Sequence, residues 1–217
     1  MVIAVIAILA ALLLPAISKA RNNASEVTDI NNLKQQMIAL QTYASDNRDV
    51  IPWPNWDGGL GNRPGWLYTM DPSATGPAQF NLQAGLFWPT LHNLKLYFCP
   101  MDKPGTSLFQ ERPQQISSYA MNGAVVGYNR SLETPLRLTS LPPDACAFWE
   151  TDETHPEYFN DGANYPLEGV SARHSQGAVQ AAFDGSVSYI KLKGWHATVA
   201  DPHRNRLWCY PDSEDGR

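Results

Sequence analysis

Residues 1–17 read MVIAVIAILAALLLPAI, and not one of them carries a charged or hydrogen-bonding side chain. Eleven of the seventeen are Met, Val, Ile or Leu. At about 1.5–3 kcal/mol each, leaving them in water would forgo about 16–33 kcal/mol. The run is apolar on every side, so as a helix it has no polar face to turn to solvent. A bilayer, a bundle of like helices or a fully buried core helix are its possible homes. Its length sits at the lower edge of the roughly 20 residues that span a bilayer. Val2, Ile6, Leu9 and Leu13 stand as membrane and assembly contacts, with Pro15 as a kink. A removable signal peptide is the main rival, but no charged region precedes the apolar run.

Outward from that run the helical pattern continues. Ala20, Ala24, Val27, Ile30, Leu33, Met37, Leu40 and Ala44 recur at steps of three or four, and no Gly or Pro interrupts residues 16–50. This stripe predicts a helix that leaves the apolar segment and covers one face of a sheet. The chain divides into a transmembrane or filament-core helix over 1–17, its amphipathic continuation over 18–47, and a globular head over 48–217.

The head begins with a loop rich in Pro and Gly, which Trp53, Trp56 and Trp66 supply with a small core of its own. A polymer-binding surface of exposed Trp faces is the minority reading. Residues 85–91 read as a short helix or turn, and residues 94–100 as a brief strand ended by Pro100. A strand over 117–128 turns at Asn122-Gly123, and residues 144–150 form a buried strand. Residues 170–174 and 178–183 are extended, with a tight turn at Asp184-Gly185. The tail carries Trp208, Cys209 and Tyr210 as an anchor and ends in frayed residues. The fold class is α+β: a long N-terminal helix packed on a small antiparallel β-sheet.

The 217 residues carry a net charge of −5, all of it in the head. No basic pattern points to nucleic acid. Cys99, Cys146 and Cys209 are widely spaced, so one bridge with a free thiol or three buried thiols are both open. Seven acids and no Lys or Arg lie between Asp144 and Glu168. Asp152, Glu153, His155 and Asp161 are candidate calcium ligands from that stretch, alongside the reading of a solvated acidic loop. No other cofactor is called for. His174 and Asp184 invite an acid–base reading, but the sequence fixes no nucleophile beside them. A structural hydrogen bond across a hairpin is the stronger expectation, and no catalytic residue is assigned.

Two blocks carry a resemblance. The run from Val2 to Ala16, followed by Lys19-Ala20-Arg21 and Asn32-Leu33-Lys34-Gln35, resembles the N-terminal helix of type IV pilins and type II secretion pseudopilins. In the head, Phe98-Cys99-Pro100-Met101-Asp102, Ser118 to Gly123, and Arg173-His174 followed after nine intervening residues by Asp184-Gly185 resemble the signatures of a large prepilin-type family of Planctomycetes, Verrucomicrobia and Lentisphaerae. The resemblance implies a pilin-like fold and a structural subunit of a pilus-like or pseudopilus-like filament, not an enzyme. It implies partnership with copies of itself or other pilin-like subunits, with the inner-membrane assembly machinery and with the lipid bilayer. The head would lie on the extracytoplasmic side of the inner membrane, or at the cell surface after assembly. Lys19 and Arg21 alone would favour a cytoplasmic head; the family's basic leader would reverse that. Set against the family, Met1 falls inside the apolar helix, so the leader, the processing site and the assembly Glu would precede residue 1. A membrane-tethered binding module, such as a minor tip pilin or a polysaccharide binder, is the alternative. For Arg173, His174, Asp184 and Gly185 the expected role is structural.

Overall fold

The computed structural model describes residues 2–57, 59, 61–128, 132 and 134–217, with side chains described from residue 13 onward. A single helix, α1 (Val2–Asp46), runs through the first quarter of the chain with Pro15 inside it. The sheet-covering stripe holds from the middle of the helix on: Leu33, Met37, Leu40 and Ala44 are buried. It does not hold upstream, where Ala20, Ala24 and Val27 are exposed. The helix there extends past the head, so its spacing meets no partner within the chain.

A two-stranded ribbon pairs β1 (Thr69–Met70) with β2 (Phe80–Asn81). The main sheet has five strands: β3 (Tyr119–Asn122), β4 (Cys146–Glu150), β5 (Ala163–Asn164), β6 (Gly177–Ala182) and β7 (Val187–Lys191). Their spatial order is β5-β3-β4-β6-β7. The sheet is mixed rather than antiparallel throughout, because β5 returns parallel to β3. The long excursion between β4 and β5 carries the chain across to the far edge of β3, where it runs parallel to β3; a tight hairpin would have set β5 beside β4 instead. Among the described residues, three short α-helices follow α1: α2 (Trp88–Leu91), α3 (Ser107–Gln110) and α4 (Leu192–Ala200).

Strands β4 and β6 are buried along their whole length. Successive side chains on a strand face opposite sides, and β4 serves two layers in this way. Phe148 packs against Trp66 and Phe87, while Trp149 packs against Trp195 of α4. Helix α1 lies over β6, β7, α2 and a 3₁₀ turn at Leu94–Tyr97.

That turn stands where a strand was expected. A short apolar run is ambiguous between strand and helix, and here Asn93 caps the turn by accepting the Lys95 N–H. Likewise Asn122-Gly123 makes no hairpin. Asn122 ends β3 and caps a 3₁₀ turn at Gly123–Val126, its side chain accepting from Ala124 N. The Asp184-Gly185 turn forms as expected, with Gly185 at φ 89 and Ala182 N donating to Ser186 O at 2.8 Å. Residues 170–174, expected to be extended, form no strand and lead instead into the turn before β6. The tail is held rather than frayed: Tyr210 N donates to Gly216 O at 2.9 Å, and the Arg217 guanidinium lies over the Trp208 ring. Trp66 is fully buried, Trp53 lies under Arg63, and Trp56 packs edge-on to Tyr165.

Candidate functional site

Where α1 meets the head, its buried face is polar. Asp29, Asn32 and Gln36 are nearly solvent-free and share one side of the helix at steps of three and four. Asn32 Nδ2 donates to Phe98 O at 2.9 Å, and Gln36 Nε2 donates to Leu96 O at 2.8 Å. These side chains satisfy carbonyls that a 3₁₀ turn leaves open, and so fix the helix at one height on the head.

Asp29 reaches deeper. One of its oxygens accepts from the Tyr119 hydroxyl, and the other faces His174 Nε2 at 3.4 Å. His174 Nε2 also stands 3.6 Å from Glu150 Oε1 and 3.3 Å from Cys99 Sγ. The donor atoms of Asp29, Cys99, Glu150 and His174 all lie within 4.8 Å of one another, and all four residues are buried. Each comes from a different segment. Asp29 is on α1, and Cys99 opens a turn closed by Asp102 N to Cys99 O at 3.0 Å. Glu150 ends β4. His174 precedes a turn at Ser175-Gln176, whose left-handed φ of 51 and 67 drives the ring inward.

A second tier backs the first. Arg173 lies 3.4 Å from both Glu150 Oε1 and Asp102 Oδ2, and Arg112 grips Asp102 with two bonds of 2.7 and 2.9 Å. Ser118 Oγ donates to Asp102 at 2.7 Å, and Val179 N donates to Glu150 Oε2 at 2.7 Å. The Arg112 guanidinium sits over Phe159 at 3.7 Å.

This crowding sets the charges. Burial, with Glu150 nearby, raises the Asp29 carboxyl to about 6 despite the His174 imidazole that faces it and the bond from the Tyr119 hydroxyl. Burial also works against ionised Glu150, but His174, Arg173 and the Val179 N–H outweigh it and hold the group below its ordinary value. Burial would lower the His174 imidazole; Asp29 and Glu150 reverse this and raise it to about 10. The Cys99 thiol is pushed up by burial, then by Glu150 and Asp29. A Cys–His pair at 3.3 Å has the spacing of a nucleophile and its base. Yet a reactive cysteine needs exposure and a depressed thiol, and Cys99 has neither.

The structure separates His174 from Asp184. They sit at opposite ends of β6, and the Asp184 carboxylate caps its own turn by accepting from Ser186 N at 2.8 Å. The expected His174–Asp184 bond is therefore replaced by the Asp29 and Glu150 contacts. Arg173 and His174 enter the buried cluster, whereas Asp184 and Gly185 shape the hairpin. The four candidate calcium ligands do not converge. Asp152 bonds Thr154 and His155, Glu153 faces Arg173 at 3.6 Å, and Asp161 accepts from Ala163 N and Asp57 N. All three cysteines are free and buried.

Asp29, Cys99 and Glu150 were missing from the expected site, although two carried a signal. Asp29 falls in phase with Leu33, Met37 and Leu40, and Glu150 in phase with Cys146 and Phe148. An acid on an apolar face is an anomaly that sequence periodicity exposes.

Among the described residues no helix is long and apolar enough to cross a membrane. Val2, Ile6 and Leu9 lie outside the described side chains; Leu13 and Pro15 are exposed. No family model, curated protein or solved structure matches the chain.

Proposed function

We propose that the chain is a structural subunit of a pilus-like or pseudopilus-like filament, with a pilin-like fold, assembled by burying its N-terminal helix among the helices of like subunits. The observation that carries this reading is the two-part character of α1. From Asp29 onward the helix is fastened to the head by buried side chains. Before it, Leu13, Leu14 and Ile17 stand on the same helix at 57, 67 and 54% exposure. Such side chains gain about 1.5–3 kcal/mol each on full burial, and the head offers them nothing.

The role is mechanical. The buried cluster holds the helix rigid against the sheet, so a force along α1 passes into the head. Lipid of the inner membrane would shelter the apolar end before assembly, with the head on the extracytoplasmic side, and sister helices afterwards. Cysteine substitution at Ile17 tests this. In cells, a short bismaleimide should join full-length Ile17→Cys subunits into covalent dimers, since each chain offers one exposed thiol. A single monomer band would remove the reading.

A cleft of about 380 Å³ lined by Trp56, Asp57, Asp161, Tyr165 and Glu168 favours a second reading, a tethered binding module. Acids beside aromatic faces suit a sugar or a cationic polymer. A glycan array probed with the full-length chain distinguishes it from a plain scaffold.

A further inference from the structure

We propose that Asp29, Cys99, Glu150 and His174 form a closed structural metal site that takes Zn(II) and clamps the N-terminal helix to the head. The proposal stands on the geometry of the four side chains and is independent of the filament reading.

The spacing is that of a tetrahedron's edges. Zinc bonds of about 2.0–2.3 Å place neighbouring ligand atoms roughly 3.3–3.8 Å apart. His174 Nε2 lies 3.3 Å from Cys99 Sγ, 3.4 Å from Asp29 Oδ2 and 3.6 Å from Glu150 Oε1. The remaining pairs, none beyond 4.8 Å, close by about 1 Å around an ion at those bond lengths. One N–H on Nε2 cannot serve three acceptors at once, and Asp29 Oδ2 is a buried oxygen without a hydrogen bond. A cation at the common centre satisfies all of them.

Ligand chemistry selects the ion. One thiolate, one imidazole and two carboxylates in a four-coordinate cage suit zinc. Calcium asks for six to eight oxygens, which this cage does not offer. The thiolate and two carboxylates carry three negative charges against the dication, and the Arg173 guanidinium beside Glu150 offsets the one charge left over.

The outer shell is built for three of the four ligands, while His174 Nδ1 is buried without a hydrogen-bond partner. Tyr119 holds the second oxygen of Asp29, Val179 N the second oxygen of Glu150, and Met101 N donates to Cys99 Sγ at 3.4 Å. Such partners fix ligand orientation. An apolar groove of about 560 Å³ opens beside Cys99, between Asn32, Phe98 and Pro100, and gives the ion a way in. All four positions are filled by protein, so the ion is structural and not catalytic. The ligands lie far apart in sequence, and binding free energy becomes folding free energy.

The test uses full-length protein purified without chelator or histidine tag from zinc-supplied cells. About one zinc ion per chain is expected. Replacement by Co(II) should give the strong visible bands of tetrahedral cobalt with a thiolate charge-transfer band. Cys99→Ser should lose that band, while Cys146→Ser keeps it. If Cys99→Ser fails to fold, X-ray absorption of the wild type decides. One sulfur at about 2.3 Å with three lighter ligands at about 2.0–2.2 Å supports the site. Only trace zinc, cobalt spectra of the weak octahedral type, or a charge-transfer band that persists in Cys99→Ser overturns the proposal.

Discussion

The carboxylate of Asp29 on the long helix faces the imidazole of His174 across 3.4 Å, with the two side chains 0 and 1% exposed. The contact joins the N-terminal helix to the turn before the penultimate strand of the sheet. Removing the imidazole leaves the Asp29 and Glu150 carboxylates buried together. Breaking a buried ion pair by deleting one partner costs about 3–5 kcal/mol. His174→Ala should lower the unfolding free energy by that amount, read as a lower urea midpoint at unchanged m-value. A loss below about 1 kcal/mol, the scale of a surface pair, would contradict the packing described.

Two carboxyls outside the four-residue cluster act on the pH dependence in opposite senses. Burial raises the Glu168 carboxyl to about 7, against the bond it accepts from Tyr165 N. Its folded value exceeds its unfolded 4.5, so its stabilising contribution is complete below about 4.5 and is lost as pH rises through about 7. Asp102 behaves oppositely. Burial works against its charge, but Arg173, Arg112 and Ser118 prevail and hold it below 3.8. Its contribution is present above about 3.8 and disappears as pH falls through the lower folded value. Urea midpoints measured from pH 3 to 8 should therefore decline less between about 4.5 and 7 in Glu168→Gln than in the wild type. Equal slopes would remove the assignment.

The turn that aims His174 inward is held by two side-chain-bearing residues in left-handed conformations, Ser175 and Gln176. Glycine adopts that region freely, and other residues do so at a cost of about 1–2 kcal/mol. Gln176 is exposed, so nothing else is lost in the exchange. Gln176→Gly should raise stability by about 0.5–1 kcal/mol, net of the unfolded-state entropy of glycine, read as a higher melting temperature. A lower melting temperature would show that Gln176 makes a contact of its own.

The elements visible in the sequence were those specified by local periodicity. Leu33, Met37, Leu40 and Ala44 announce the docked half of α1, and the Asp184-Gly185 pair announces the β6–β7 hairpin. Features set by distant partners were not visible. Nothing local singles out Asn32 and Gln36, because the carbonyls they serve belong to Phe98 and Leu96. The parallel return of β5 depends on the path after β4, which no local pattern encodes. The resemblance brought Arg173 and His174 forward, while the reading of the hairpin paired His174 with Asp184. Tertiary folding instead gave it Asp29 and Glu150, two acids placed in phase with apolar faces.

Sedimentation of the full-length chain after detergent removal tests the central claim most directly, with a Leu13→Asp, Ile17→Asp double variant beside it. The account predicts large assemblies of the wild type, and a folded, non-assembling double variant with the same urea midpoint. A monomeric wild type in detergent-free buffer, sedimenting like the double variant, would contradict it.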